Sequence, residues 1–350
     1  MAIGEKDLRD SVKAFRKLIA WNTSSPELER RARALYDLLV APVEPRVAAS
    51  DRLLIVADGP LHTLPWATLM RDSKPGSPRY LAEWKPIHTA ASATAFAELK
   101  RLRSGAHRDG PIDVAAFGDP KYPAPGSRAG SAMRGTGAES EPGDAYGEPQ
   151  LDAILRSGFR LEPLPLSRGE VETIASLYAP RSTAYLGSDA TESRARSVGR
   201  DVSLIHYACH AVLDERFPLD SALVFTIPEK PQADDNGLLQ AWEILEKMRI
   251  DADLVTLSAC ESGLGREAGG EGLVGLTRAF QFAGAHSVLA SLWKVDDRST
   301  AALMKGFYRH LKAGKSKDEA LRLAQVELIH SADFAQPRFW AAFQINGDWR

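Results

Sequence analysis

Short, uninterrupted apolar runs recur along this chain, and they restrict its possible folds more than any other feature. Leu53 to Ala57 in RLLIVADGP forms one, and the cores of IDVAAFGDP, SLIHYACHA, DLVTLSAC and HSVLASLW form four more. Between them lie stretches with helical spacing, such as RGEVETIASLYA and STAALMKGFYRHLKAG. Continuous runs alternating with helices predict an α/β chain whose largely parallel sheet is buried and flanked by helices. Two helices precede the first run. Leu8, Val12, Phe15, Leu18 and Ile19 share a helical face, and Ser25 and Pro26 read as the N-cap and first residue of the second helix.

Charge and cysteine usage narrow the class. Lys+Arg 44 against Asp+Glu 46 leaves a net charge of −2, so no direct nucleic-acid or membrane partner is expected. The first residues, MAIGEKDLRDSVKAF, lack the apolar core of a signal peptide. Two cysteines in 350 residues are not a disulfide framework, which predicts a soluble, cytoplasmic protein. From Lys121 to Gln150, 13 of 30 residues are Gly, Pro or Ser. Such a stretch buries too little apolar surface to offset its ordering entropy, and reads either as a linker between two α/β halves or as a surface insertion. The expected layout is a helical extension over 1–40, an N-terminal half over 41–120, the linker over 121–150 and a catalytic half over 151–350.

Chemistry gathers at the carboxyl ends of strands in a parallel sheet. SLIHYACH ends at His210 and DLVTLSAC at Cys260. If these strands are neighbours, an imidazole and a thiol share one sheet edge. A free thiol has a pKa of about 8.5 and needs a base or cation beside it to act as a nucleophile at neutral pH. His210 can supply that and later protonate a leaving amine. Small residues flank both groups, leaving the backbone N–H groups of Ala211 and Cys260 as candidates for an oxyanion hole. Cys209 is expected to face away from the site, because strand neighbours alternate faces. His206 reads as a core histidine bonded to backbone, and GGEGLVGL as a helix N-terminus packed near the cysteine. No metal or cofactor is required.

His210 and Cys260 lie 50 residues apart, and caspases keep their histidine about 50 residues upstream of the cysteine. Around this pair stand IHYACHAVLDERFPLDSALVF, NGLLQAWEIL, ADLVTLSACESGLG, GGEGLVGLTRAFQFAGAHSVLASLWKVDD, LMKGFYRHL and EALRLAQ. LLIVADGPLHTLPWATL and LPLSRGEVETIASLY precede them, and FWAAFQINGD follows. In these motifs, from about Leu35 to the C-terminus, the chain resembles the CHAT peptidase family. The resemblance implies a caspase-like, separase-type fold with a degenerate N-terminal half and a catalytic C-terminal half. It also implies a thiol protease, a hydrolase with His210 as catalytic histidine and Cys260 as nucleophile.

Further expectations follow from the same resemblance. It implies a protein substrate, a gasdermin-like pore former among the candidates, and a role in bacterial antiviral defence or cell death. The chain departs from the family in carrying Ala211 where glycine is usual, and in lacking the tetratricopeptide repeats that commonly precede the domain. That implies either a separate sensor or activator protein or a longer parent chain. Related enzymes that cut after Arg or Lys often place an acid two residues before the cysteine, where this chain has Ser258. Asp296 and Asp297 are candidates to line the first substrate pocket together with Ser258, or to cap the helix beginning near Ser299. Two other readings of the motifs are a catalytically silent binding or scaffold module and a non-peptide acyl hydrolase.

Overall fold

A computed structural model describes residues 3–21, 26–71, 79–104, 112–123, 161–232, 234–263, 271–293 and 295–350. In chain order the helices begin with α1 (Glu5–Ala20), α2 (Pro26–Leu39), α3 (Glu44–Val47), α4 (Leu81–Trp84), α5 (Ala93–Ser104) and α6 (Pro165–Tyr178). They continue with α7 (Glu192–Arg196), α8 (Ala241–Lys247), α9 (Glu271–Ala283), α10 (Asp297–Lys312), α11 (Lys317–Ile329) and α12 (Pro337–Trp340). The strands begin with β1 (Leu53–Val56), β2 (Ile87–Ala90), β3 (Val114–Gly118), β4 (Ser182–Leu186), β5 (Leu204–Ala208) and β6 (His210–Leu213). The rest are β7 (Ala222–Val224), β8 (Leu238–Gln240), β9 (Leu254–Leu257), β10 (Cys260–Gly263), β11 (Ser287–Ser291) and β12 (Phe343–Gly347). The expected apolar runs supply β1, β3, β5, β9 and β11. Helix α2 starts at Pro26, while Ser25 lies outside the described residues, as does 124–150 of the Gly/Pro/Ser-rich stretch.

The chain forms two compact units, Met1–Pro111 with His286–Arg350, and Ile112–Ala285. In the first unit the strand order is β1-β2-β12-β11, with β11 antiparallel to β12 and the other pairs parallel. Helix α1 buries Val12, Phe15 and Ile19, the face its spacing predicts. The buried Asp318 at the start of α11 accepts from Arg52 at 2.6 Å and from Ser316 at 2.7 Å, with His88 Nδ1 at 3.4 Å. Burial alone would raise that carboxyl. Hydrogen bonds from His88 and Ser316 and the charge of Arg52 instead hold it below its ordinary range.

In the second unit β9-β5-β3-β4 form a fully parallel sheet, and β10-β6-β7-β8 form a smaller one. Every residue of β3, β5 and β9 is buried, as their mainly apolar character predicts, and this includes the polar His206 and Thr256. Alternation sorts their side chains. His206, Ala208 and Ala116 face α6, where Ala116 and Ala208 pack with Val171 and His206 Nε2 lies 2.9 Å from Glu170 Oε1. Phe117 and Tyr207 face the other way into an aromatic cluster with Tyr185, Phe225 and Phe280, ring centroids 4.5 to 5.8 Å apart. His206 is therefore a core residue, as expected, with a carboxylate for a neighbour. Among the described residues, no helix is long and apolar enough to cross a membrane.

Candidate active site

Two strands of the second unit's parallel sheet leave it and pair again with each other in the smaller sheet. β5 ends at Ala208 and the chain re-enters a strand at His210; β9 ends at Leu257 and re-enters at Cys260. The candidate residues are thus the first residues of β6 and β10, two residues beyond the end of β5 and three beyond the end of β9, rather than at those strand ends as the sequence pattern put them. In the large sheet Leu204 pairs with Leu254 and Tyr207 with Leu257; in the small one His210 pairs with Cys260. The 50-residue spacing is therefore the pairing offset of the two strands, carried unchanged across the break. Register partners on adjacent strands stand about 4.8 Å apart along the hydrogen-bonding direction. Ala211 follows, with Glu261 as register partner on one side and Leu223 on the other.

His210 is buried and held from several sides. Its Nε2 lies 2.8 Å from the carbonyl oxygen of Glu162. A carbonyl only accepts, so Nε2 carries the proton and Nδ1 is the basic nitrogen of the neutral ring. The ring of Tyr122 packs against the imidazole with centroids 5.1 Å apart. The Tyr122 hydroxyl accepts from the His210 N–H at 3.3 Å and donates to the Val224 carbonyl at 3.0 Å. Leu161, beside Glu162, packs with Val212, Val224 and Leu238, and Tyr122 rests on the same cluster. The tyrosine and the Glu162 carbonyl were not among the sequence candidates. Tyr122 sits at the head of the Gly/Pro/Ser-rich stretch, and a main-chain carbonyl leaves no mark in side-chain chemistry.

The turn that delivers Tyr122 is built residue by residue. A Cβ at Gly118 would lie 2.8 Å from Val171 Cγ2 and 2.9 Å from the Ser167 carbonyl, so only glycine lets the end of β3 come this close to α6. Asp119 takes a left-handed conformation with φ 50°, which aspartate tolerates better than most residues. Its N–H donates to Ser167 Oγ at 2.7 Å, and its carboxylate accepts from Arg168 at 2.7 Å. The Lys121 N–H donates to Thr226 Oγ1 at 2.9 Å, and the Ile227 N–H to the Lys121 carbonyl at 3.1 Å. The beginning of the 121–150 stretch is therefore pinned to the end of β7.

The other candidates fall as follows. Ser258 is buried, and its N–H extends the β5–β9 ladder by donating to the Tyr207 carbonyl at 2.9 Å. Its hydroxyl oxygen has no hydrogen-bond partner among the described residues. Asp296 is the N-cap of α10, accepting from the Ser299 N–H at 3.0 Å, and Asp297 is that helix's first residue. Both aspartates belong to the first unit and the histidine and cysteine to the second. Cys209 is fully buried between β5 and β6. Helix α9 does start in GGEGLVGL, at Glu271, but Gly272 packs against Leu213 and Ser221. Leu213 is the register partner of Gly263, so the helix N-terminus sits at the far end of β10. That is three residues from Cys260, about 10 Å of strand, and corrects the expectation that it packs near the cysteine. No group of three or more His, Cys, Asp or Glu among the described residues could hold a metal ion.

Two of the solved structures that the chain resembles serve as examples. One is the separase–securin complex of Saccharomyces cerevisiae, with a TM-score of 0.46 and 14% identity over 85% of this chain and 16% of that one. The other is the Arg-specific cysteine proteinase gingipain R, with a TM-score of 0.47 and 8% identity over 99% of this chain and 74% of that one. Among curated proteins, tetratricopeptide repeat protein 28 of Mus musculus is 28% identical over 355 residues, and that of Homo sapiens 27% over 352. Each alignment takes in 90% of this chain and 13% of the relative's length. The CHAT domain profile matches residues 29–348, nearly the whole sequence, so the chain belongs to the CHAT domain family.

Proposed function

We propose that this CHAT domain is a cysteine endopeptidase in which His210 and Cys260 form the catalytic dyad. The observation that supports this most is the shared register of the two residues on β6 and β10, combined with the Glu162 carbonyl at His210 Nε2. That carbonyl leaves Nδ1 as the base. Nδ1 takes the thiol proton, and the thiolate attacks the scissile carbonyl. The N–H groups of Ala211 and Cys260 bind the resulting oxyanion. Collapse expels the amine, which receives its proton from the imidazolium, and leaves a thioester on Cys260. Water, deprotonated by the imidazole, then hydrolyses the thioester and restores the thiol. Ser258 lies two residues before the nucleophile, and its buried hydroxyl suits a small or weakly polar first pocket.

In this reading the substrate is a protein, and a gasdermin-like pore former whose cleavage serves bacterial defence or cell death is one candidate. The test is digestion of a diverse peptide library, with fragment termini read by mass spectrometry. The native protein should cut peptide bonds at a recurring motif, and Cys260→Ala should cut none. Absence of cutting by the native protein, while it still binds partners, would favour a silent scaffold module. Cleavage of esters but not peptides would point to an acyl hydrolase.

A further inference from the structure

We propose that Tyr122 is a positioning residue for His210, acting as an inserted rung between β6 and β7. The proposal rests on the peptidase reading and adds a part that neither strand supplies. His210 and Val224 are register partners in the antiparallel β6–β7 pair. The Tyr122 hydroxyl bridges them, accepting the N–H of one at 3.3 Å and donating to the carbonyl of the other at 3.0 Å. The same side chain presents its ring to the imidazole, with centroids 5.1 Å apart and planes 43° from one another. One residue thereby fixes the main chain of His210 and walls one side of its ring, while the Glu162 carbonyl holds the ring's far nitrogen.

The support behind Tyr122 is closely packed and hydrogen-bonded. Gly118 packs against α6, Asp119 is clamped by Ser167 and Arg168, and Lys121 is bonded through its main chain to Thr226 and Ile227. An imidazole walled on one face and bonded at Nε2, on a main chain that is itself held, has few competing rotamers, so its Nδ1 is delivered to one place. A displacement of about 1 Å in such a group can cost about 10²-fold in rate.

The test uses Tyr122→Phe, which keeps the ring and removes the bridge, and Tyr122→Leu, which removes both. The first readout is the rate of Cys260 alkylation by iodoacetamide from pH 5.5 to 9.5, resolved from Cys209 by mass spectrometry. In the native protein a His-paired thiolate reacts well below the ordinary thiol range of about pH 8.5. At pH 6.5 the expected slowing is about 5-fold for Tyr122→Phe and about 20-fold or more for Tyr122→Leu, with rates converging above pH 9 where no base is needed. Peptide cleavage should lose kcat by similar factors with KM changed less than about 2-fold.

A purely structural role would slow alkylation equally at all pH values and lower the melting temperature in step, and would overturn the proposal. Alkylation profiles superimposed on the native one would overturn it too. If the native Cys260 itself alkylates as slowly as an ordinary thiol, the dyad fails, and that result is distinct from a fast native thiol that ignores Tyr122. Should the Leu variant not fold, the Phe variant alone carries the decision.

Discussion

Asp296 illustrates how one carboxylate can be assigned by geometry. It accepts from the Ser299 N–H, and its own carbonyl accepts from Ser299 Oγ, Thr300 N and Thr300 Oγ1. Asp296→Ala should lower stability by about 1 kcal/mol, and Asp296→Asn by a few tenths at about the level of measurement, since asparagine caps equally well. Urea denaturation measures both. Against paired Arg and Leu peptides, Asp296→Asn should leave cleavage unchanged; a loss confined to the Arg peptide would show that it also lines a substrate pocket. His210 and Cys260 could be found in the sequence because each ends an apolar run and carries a reactive group. The residues that hold His210 could not. Tyr122 is hidden by its Gly- and Pro-rich neighbours, and Glu162 acts through a backbone oxygen whatever its side chain.

At the scale of elements, the strands that could be read were the short apolar runs, four of them fully buried and β1 with Leu54 and Val56 exposed. β3, β5 and β9 are apolar runs with one polar residue at most, His206 in β5 and Thr256 in β9, whereas β7 and β8 have three residues each, too few to show a period. That is why the small sheet, and with it the bridge at Val224, was not anticipated. The 50-residue spacing was visible, and its meaning as a strand register emerged only when β5 was seen beside β9. Helix α9 gives a test of how tightly the small sheet is packed. A Cβ at Gly272 would lie 2.9 Å from both Leu213 Cβ and Ser221 Oγ, and one at Gly275 2.8 Å from the Pro218 carbonyl. Glycine to alanine inside a helix ordinarily gains up to about 1 kcal/mol. Here overpacking should reverse the sign, so that Gly272→Ala and Gly275→Ala each lose roughly 1–3 kcal/mol in a denaturation experiment. A gain in stability would mean the contact is looser than described.

Across the whole molecule, two buried carboxylates pull stability in opposite directions with pH. Burial raises the Glu192 carboxyl to about 7, and the nearby Glu243 adds to it, against opposing bonds from Gly237, Asn236 and the charge of Arg196. A carboxyl with a raised folded pKa contributes stability that is complete below its unfolded value and fades as pH rises toward 7. Asp318, held low, contributes stability that fades only as pH falls below about 4. Stability from these two groups should therefore be greater at pH 5 than at pH 8, by an amount of order 1–3 kcal/mol. Glu192→Gln should flatten that difference in calorimetry; an unchanged slope would assign it to other groups.

The central claim concerns the dyad, and the most direct measurement is kcat/KM on one cleaved peptide for four variants. Cys260→Ala and His210→Ala should each lose roughly 10³-fold or more, and the double variant should be hardly worse than either, as the proposal that they form one catalytic unit requires. Cys209→Ala should retain most of the activity. Normal cleavage by Cys260→Ala, or an inactive Cys209→Ala beside an active Cys260→Ala, would contradict the account.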